Sequence, residues 1–304
     1  MRDAPPTLED PQTDRPPSKR GGRTRAYFEL TKPGIASYVM ITAGVSAFVG
    51  SRGTLGLLPA IHTVLGTGLA TAGALSLNQY VERDPDAVMH RTRGRPLPTK
   101  RLEPMPALAF GAALLLGGIA YLAIAVGALP AALAAVSAAI YHGAYTPLKS
   151  RSYVATLTGA VPGALPMLIG WTAATGAVDA GGLVLFAIGY LWQLPHVLAL
   201  AWMLREDYAA VGFKLIPPGG ARSIGLQMVV SAALLLPASW LPALLGLAGS
   251  WYLAGATVLG LAFLLLAAHA ARDLTETAAR RVFLGSLVYH PVLLAFMLFD
   301  TVRL

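Results

Sequence analysis

The sequence predicts an all-α, polytopic membrane protein with about nine transmembrane helices, and three observations carry that expectation. The mean hydropathy is +0.60 and only 12% of the residues are charged, against about 25% in a soluble domain. The apolar residues gather in runs of roughly 20, the length a helix needs to cross the hydrocarbon core. The basic residues fall almost entirely in alternate gaps between those runs.

Taken in order, the first element is polar. Residues 1–30 have no apolar core segment and are rich in Pro and Arg, so a disordered basic cytoplasmic tail is expected and a secretory signal is not. Asp3, Glu9, Asp10, Asp14 and Glu29 also argue against a mitochondrial presequence, which leaves a prokaryotic cytoplasmic membrane as the expected location. Residues 31–304 then form a single transmembrane domain. Its spans are expected near 33–51, 55–81, 105–126, 129–147, 154–173, 183–203, 224–245, 250–270 and 282–300. Gly66, Gly68, Pro162, Pro166 and Pro195 lie inside them, as membrane helices tolerate. The brief connection at 127–130 implies a tight hairpin, and the longest polar insertion is 82–104.

Of the 23 basic residues, 21 lie in the amino-terminal tail or after the second, fourth, sixth and eighth spans. Only Arg52 and Arg303 lie opposite. The positive-inside rule therefore places the amino terminus in the cytoplasm and the carboxyl terminus outside. The net charge of +8 is thus explained by topology, with a lipid bilayer as partner and no nucleic acid. The absence of cysteine excludes disulfides and thiolate metal sites.

Chemistry gathers at the end of the second span. Asn78, Glu82 and Asp86 are spaced i, i+4, i+8, which keeps three oxygen donors on one helical face. Hard cations such as Mg2+ take oxygen ligands, usually one or two carboxylates plus substrate phosphates. Pro85 disfavours helical geometry at Asp84, so Asp84 is an alternative ligand to Asp86. A cationic run from His90 to Arg101 follows, holding Arg91, Arg93, Arg95, Lys100 and Arg101. Acids and bases together suit a metal-bridged polyphosphate. Anchorage to anionic lipid is the plainer reading for Arg93, Lys100 and Arg101. It does not account for the acids, which are costly at that depth without a partner.

The other loops on this side are less specific. Tyr145, Lys149 and Arg151 either complete a diphosphate pocket or enforce topology. Glu206 and Asp207 offer a second acidic cluster for a second or shared metal, or simply pair locally, as Asp207 with Arg205; Arg205 is itself a candidate to bind substrate. Of the six histidines, His196 is the best candidate to contact a ligand, beside Pro195, which loosens its helix. It serves equally as an interface hydrogen-bonding residue, and the same choice stands for His142 and His290.

These residues resemble the UbiA-type intramembrane prenyltransferases over roughly 27–300. The resemblance rests on the run from Asn78 to Asp84 with Asp86, on Arg91, Thr92 and Arg95 to Pro98, and on Tyr145 to Lys149. It continues through Gly159 to Pro166 with Ile169 to Trp171, Trp192 to His196, and Arg205 to Tyr208 with Gly212 and Phe213. Glu82 stands where the superfamily has Asp, which is similar to the haem branch rather than the quinone branch. The second Asp-rich motif is largely absent, with Glu206 and Asp207 in its neighbourhood. Ala155 replaces a common asparagine, and Lys100 replaces the usual glycine.

The resemblance implies a nine-helix bundle around a central cavity opening to the cytoplasm. It implies farnesyl diphosphate as donor, haem B as acceptor, Mg2+ as cofactor and a haem A synthase as downstream partner. On that reading Asn78, Glu82 and Asp86, with Asp84 assisting, hold the metal, while Arg91, Arg95 and Lys149 stabilise the departing diphosphate. Two other readings stay open. A sister enzyme would prenylate a quinone precursor or chlorophyllide with the same chemistry. A transporter or haem-binding membrane protein is the alternative from another class; transporters show related halves with broken helices at mid-membrane, and no repeat is visible here.

Overall fold

The structure is a computed structural model that describes residues 22–301; most of the expected tail, and Arg303, lie outside the described residues. Among the described residues there are helices and turns but no strand. A short helix α1 (Arg23–Leu30) leads into α2 (Pro33–Gly50) and α3 (Leu57–Val81), and α4 (Arg83–Val88) follows α3 almost without a break. Next come α5 (Pro104–Ala125) and α6 (Ala128–Ile140), which runs through a π-helical turn at Tyr141–Tyr145 into α7 (Thr146–Leu148). The remainder is α8 (Val154–Thr175), α9 (Ala180–Met203), α10 (Arg205–Ala210), α11 (Gly220–Ala238), α12 (Leu241–Leu244), α13 (Ser250–Arg272) and α14 (Glu276–Thr301).

Nine segments among the described residues are long and apolar enough to cross a membrane, and each expected span matches one of them. Where the ends differ, capping explains the shift. The Asp179 carboxylate accepts from the N–H groups of Gly181 and Gly182 and starts α9 three residues early. Thr275 Oγ1 accepts from Ala278 N and draws the basic turn before residue 282 into α14. Large apolar side chains such as Leu116, Ile124, Val258 and Leu265 face outward, as a bilayer allows.

One expectation is corrected. Residues 23–30 are not a disordered tail but helix α1, because Ala26 and Leu30 bury against Leu97, Leu102 and Ala107. Gln79 Nε2 donates to the Leu30 carbonyl at 2.8 Å, and Arg101 donates to Glu29 at 2.6 Å.

Close backbone approach shapes the bundle. A Cβ at Gly73 would come 2.2 Å from Leu115 N, and one at Gly118 would come 2.3 Å from Ala70 N. Helices α3 and α5 therefore touch backbone to backbone. The half formed by α9, α11, α13 and α14 is filled instead by large side chains, with Tyr252, Met228, Tyr289 and Leu293 fully enclosed. Proline supplies the irregularities. Pro162 and Pro166 sit inside α8 and remove backbone donors there. The π turn falls just before Pro147, whose ring opposes regular helix in the preceding turn.

Candidate active site

The end of α3 and the whole of α4 form one hydrogen-bonded path. Glu82 N donates to the Asn78 carbonyl at 2.9 Å, and Asp86 N donates to the Glu82 carbonyl at 2.8 Å. Pro85 falls in the first turn of α4, where its missing N–H costs nothing. The three donors thus share one face and are buried at 1%, 6% and 0% exposure. Asp84 points into solvent beside Arg83, so of the two aspartates it is Asp86 that shares the buried face with Asn78 and Glu82.

Each donor meets a cation from elsewhere in the chain. Lys149 Nζ lies 2.5 Å from Glu82 Oε1, and Arg95 lies 2.5 Å from Asp86 Oδ2. Lys32 Nζ donates to Asn78 Oδ1 at 3.3 Å. Asp86 Oδ1 is buried with no hydrogen-bond partner among the described residues. Thr92 fixes the loop carrying Arg95, its hydroxyl donating to the Asp86 carbonyl at 3.0 Å.

The environment sets the charges. Burial alone would raise the Glu82 carboxyl, but the charge and hydrogen bond of Lys149, helped by Asn78 and Lys32, hold it below the usual range. Burial opposes the charge on Lys149, yet the oxygens of Tyr145, Glu82 and Tyr141 outweigh it and raise its pKa. Lys32 has weaker compensation: burial, reinforced by the charge of Arg95, pushes it down to about 7.

Lys149 follows the π turn, its ammonium 4.5 Å above the Tyr145 ring and 5.5 Å from that of Phe213. Tyr145 in turn stacks on Tyr141 at 5.4 Å. The ion pairs line a polar chamber of about 450 Å³. Beside it lies a mainly apolar cavity of about 320 Å³. Ile35, Tyr141, Tyr145, Leu200, Tyr208 and Leu215 line both, so the two adjoin. Ligand pockets commonly span about 300–1,000 Å³.

The structure does not bring every expected residue into this chamber. Arg91 is at its rim with an exposed side chain. Arg151 is exposed and lines neither cavity. Arg205 packs on Trp202 and pairs with Glu206, whose side chain stands in solvent. Asp207 accepts from the backbone N–H groups of His90 and Arg91 at 3.0 and 3.1 Å, a clasp between two loops. The structure thus gives Glu206 and Asp207 the local-pairing and loop-fastening roles, and no cluster of three His, Cys, Asp or Glu able to hold a metal occurs among the described residues. His196 lines neither cavity. It sits between α9 and α14, hydrogen-bonded to Ser286 at 2.8 Å and stacked between Trp192 and Phe283. His290 stacks on Trp192 and bonds the Tyr38 hydroxyl, an interface role as well.

Sequence reasoning missed Lys32, which it counted with the tail, and Gln193, which takes the place on the cavity wall expected of its neighbour His196. The one signal for Lys32 was its position immediately before the first span.

A helical bundle holding an ion-lined chamber beside an apolar cavity suits a multi-pass membrane prenyltransferase, and residues 39–296 match the UbiA prenyltransferase family. The chain belongs to that family. Its relatives are more specific. A protoheme IX farnesyltransferase of Solibacter usitatus (strain Ellin6076) is 42% identical over 287 residues, covering 91% of this chain and 98% of the relative. The protoheme IX farnesyltransferase of Myxococcus xanthus (strain DK1622) is 44% identical over 275 residues, covering 90% and 93%. Among solved structures, a digeranylgeranylglyceryl phosphate synthase shares the fold with a TM-score of 0.79 at 16% identity, covering 93% of this chain and 99% of that one. A UbiA homologue from Archaeoglobus fulgidus bound to GPP and Mg2+ follows with a TM-score of 0.62 at 14% identity, covering 92% and 100%.

Proposed function

We propose that the protein joins the farnesyl group of farnesyl diphosphate to a vinyl carbon of haem B and adds water, giving haem O and diphosphate. The observation that carries this is the shared wall at Tyr145, where an ion-paired chamber fit for a diphosphate adjoins an apolar cavity fit for its tail. The acceptor follows from the relatives, which are protoheme IX farnesyltransferases. A quinone precursor or chlorophyllide as acceptor is correspondingly disfavoured, and an acceptor-competition assay separates them. A transporter is disfavoured too, since the acids lie at one end of the bundle rather than midway.

The residues fit a Mg2+ ion that arrives with its substrate. Asn78, Glu82 and Asp86 are hard oxygen donors on one face, and Asp86 keeps one buried oxygen without a partner among the described residues. They do not make a closed protein cage, which suits an ion that takes its remaining ligands from phosphate and water. Such an ion, when bound, neutralises diphosphate charge and makes it a better leaving group.

The chain's own residues supply the rest. Lys149, Arg95 and Lys32 are held by Glu82, Asp86 and Asn78 in the free protein. They exchange those partners for phosphate oxygens and stabilise the charge that develops as the C1–O bond of the farnesyl group breaks. Each well-placed donor of this kind contributes roughly 3–4 kcal/mol. Tyr141 and Tyr145 wall the junction, and the apolar cavity below them keeps bulk water from the allylic cation. The vinyl group attacks that cation, and water completes the product.

The ion-rich end is assigned to the cytoplasm of a cell membrane by the charge bias of its loops. The product would pass to a haem A synthase. Replacing Glu82 or Asp86 by alanine should abolish haem O formation; turnover at the wild-type rate would overturn the assignment.

A further inference from the structure

We infer that Gln193, together with Ser137 and the Pro162 carbonyl, holds the water molecule that hydroxylates the product. The inference rests on the proposed reaction, which needs one water inside a cavity otherwise lined mainly by apolar side chains.

The geometry comes from three helices. Pro166 has no N–H, so the carbonyl of Pro162, four residues earlier, loses its helical donor. The Ser137 hydroxyl of α6 donates to it at 3.2 Å, which leaves the serine's lone pairs and a second carbonyl lone pair able to accept, and both residues line the cavity. From α9, the Gln193 carboxamide lies against Gly163, so close that a Cβ there would come 2.0 Å from its Oε1. One hydrogen of Gln193 Nε2 goes to the Gly189 carbonyl at 3.1 Å, and Oε1 accepts no hydrogen bond among the described residues. Gln193, Ser137, Pro162 and Gly163 all line the same cavity.

The polarity of this notch is what matters. Gln193 Oε1 and the Pro162–Ser137 pair are acceptors. A water seated between them donates both hydrogens and presents its lone pair outward, as a nucleophile. The depth is also right. A Cβ at Gly159 would meet the Tyr145 ring at 2.7 Å, and Gly163 lies one helical turn further along α8. The notch therefore lies about one helical turn, about 5.4 Å, deeper along α8 than the Tyr145 ring, over which the Lys149 ammonium sits at 4.5 Å. The carbon to be hydroxylated is two bonds from farnesyl C1, which starts bonded to the diphosphate.

The step balances. The terminal vinyl carbon forms a C–C bond to farnesyl C1 as the C1–O bond breaks and diphosphate leaves. The electron deficit moves to the vinyl carbon attached to the porphyrin. The water oxygen forms a C–O bond there, and its proton passes to the departed diphosphate in the adjoining chamber.

The test is product partition. Purified protein is given farnesyl diphosphate, haem B and Mg2+ in 18O-labelled water, and haem adducts are measured by mass spectrometry against diphosphate released. In Gln193→Leu the cation should lose a proton instead, giving an adduct lighter by one water. The ratio of hydroxylated to dehydrated adduct should fall about tenfold, the size of one lost hydrogen bond. A wild-type ratio in Q193L overturns the inference. Should Q193L release no diphosphate, Ser137→Ala decides by the same ratio, again with a wild-type value contradicting it. If the unmodified protein releases diphosphate but makes no haem adduct, the acceptor assignment has failed and the inference falls with it.

Discussion

Glu82 neutralises Lys149 in the free protein and would have to release it when substrate binds. The pair is nearly enclosed, with side chains 8% and 9% exposed, so removing one partner strands a buried charge at a cost of about 3–5 kcal/mol. Glu82→Gln should therefore lower both stability and turnover, the latter about 100-fold or more. Adding Lys149→Met to Glu82→Gln should restore much of the thermal stability while activity stays lost. Recovery of diphosphate release in the double variant would contradict the proposed roles. Lys32 offers a second reading at this scale. Its pKa is lowered to about 7, so it is mostly neutral at pH 8, and an arriving diphosphate anion raises the pKa and draws a proton in. Calorimetry in buffers of different ionisation enthalpy should show proton uptake on diphosphate binding at pH 8, and Lys32→Gln should remove it. Binding of a diphosphate without uptake would show that Lys32 does not face the ligand.

Among the elements, the loop over the chamber carries a strained residue. Lys100 has φ +55, left-handed geometry that suits glycine and costs another residue about 1–2 kcal/mol. Glycine, the residue the resemblance leads one to expect there, adopts this geometry without strain. Lys100→Gly should raise the apparent melting temperature by a few degrees, checked by thermal shift; a fall would mean that the lysine makes a compensating contact. Gly118→Val should do the reverse, because its Cβ would strike Ala70 N. The nine spans were legible in sequence because length and hydropathy suffice for them. The Asn78, Glu82, Asp86 spacing was legible because one continuous helical path carries all three. Helix α1 was not, since its burial rests on two small anchors, Ala26 and Leu30, docking on a distant loop. Gln193 was missed for a related reason. Which face of α9 meets the cavity depends on how α8 packs against it at Gly163, and no local pattern encodes that.

For the whole molecule, both cavities depend on helix ends brought together from far apart in the chain. Lys214 N donates to the Lys149 carbonyl at 2.6 Å and Asp207 clasps the loop at His90, while at the other end Arg52 bonds the Gly246 carbonyl at 2.9 Å. The chain has no cysteine, so single cysteines can report sidedness cleanly. Arg93→Cys should be labelled only from the cytoplasmic side and Arg52→Cys only from the other; the reverse pattern would invert the assigned topology. The most direct measurement for the central claim uses purified protein with farnesyl diphosphate and haem B, with Mg2+ or with a chelator. The account predicts hydroxyethylfarnesyl haem and an equal amount of diphosphate with Mg2+, and neither once the metal is removed. Equal product in the chelated sample, or diphosphate release that persists when Glu82 and Asp86 are both replaced by alanine, would contradict it.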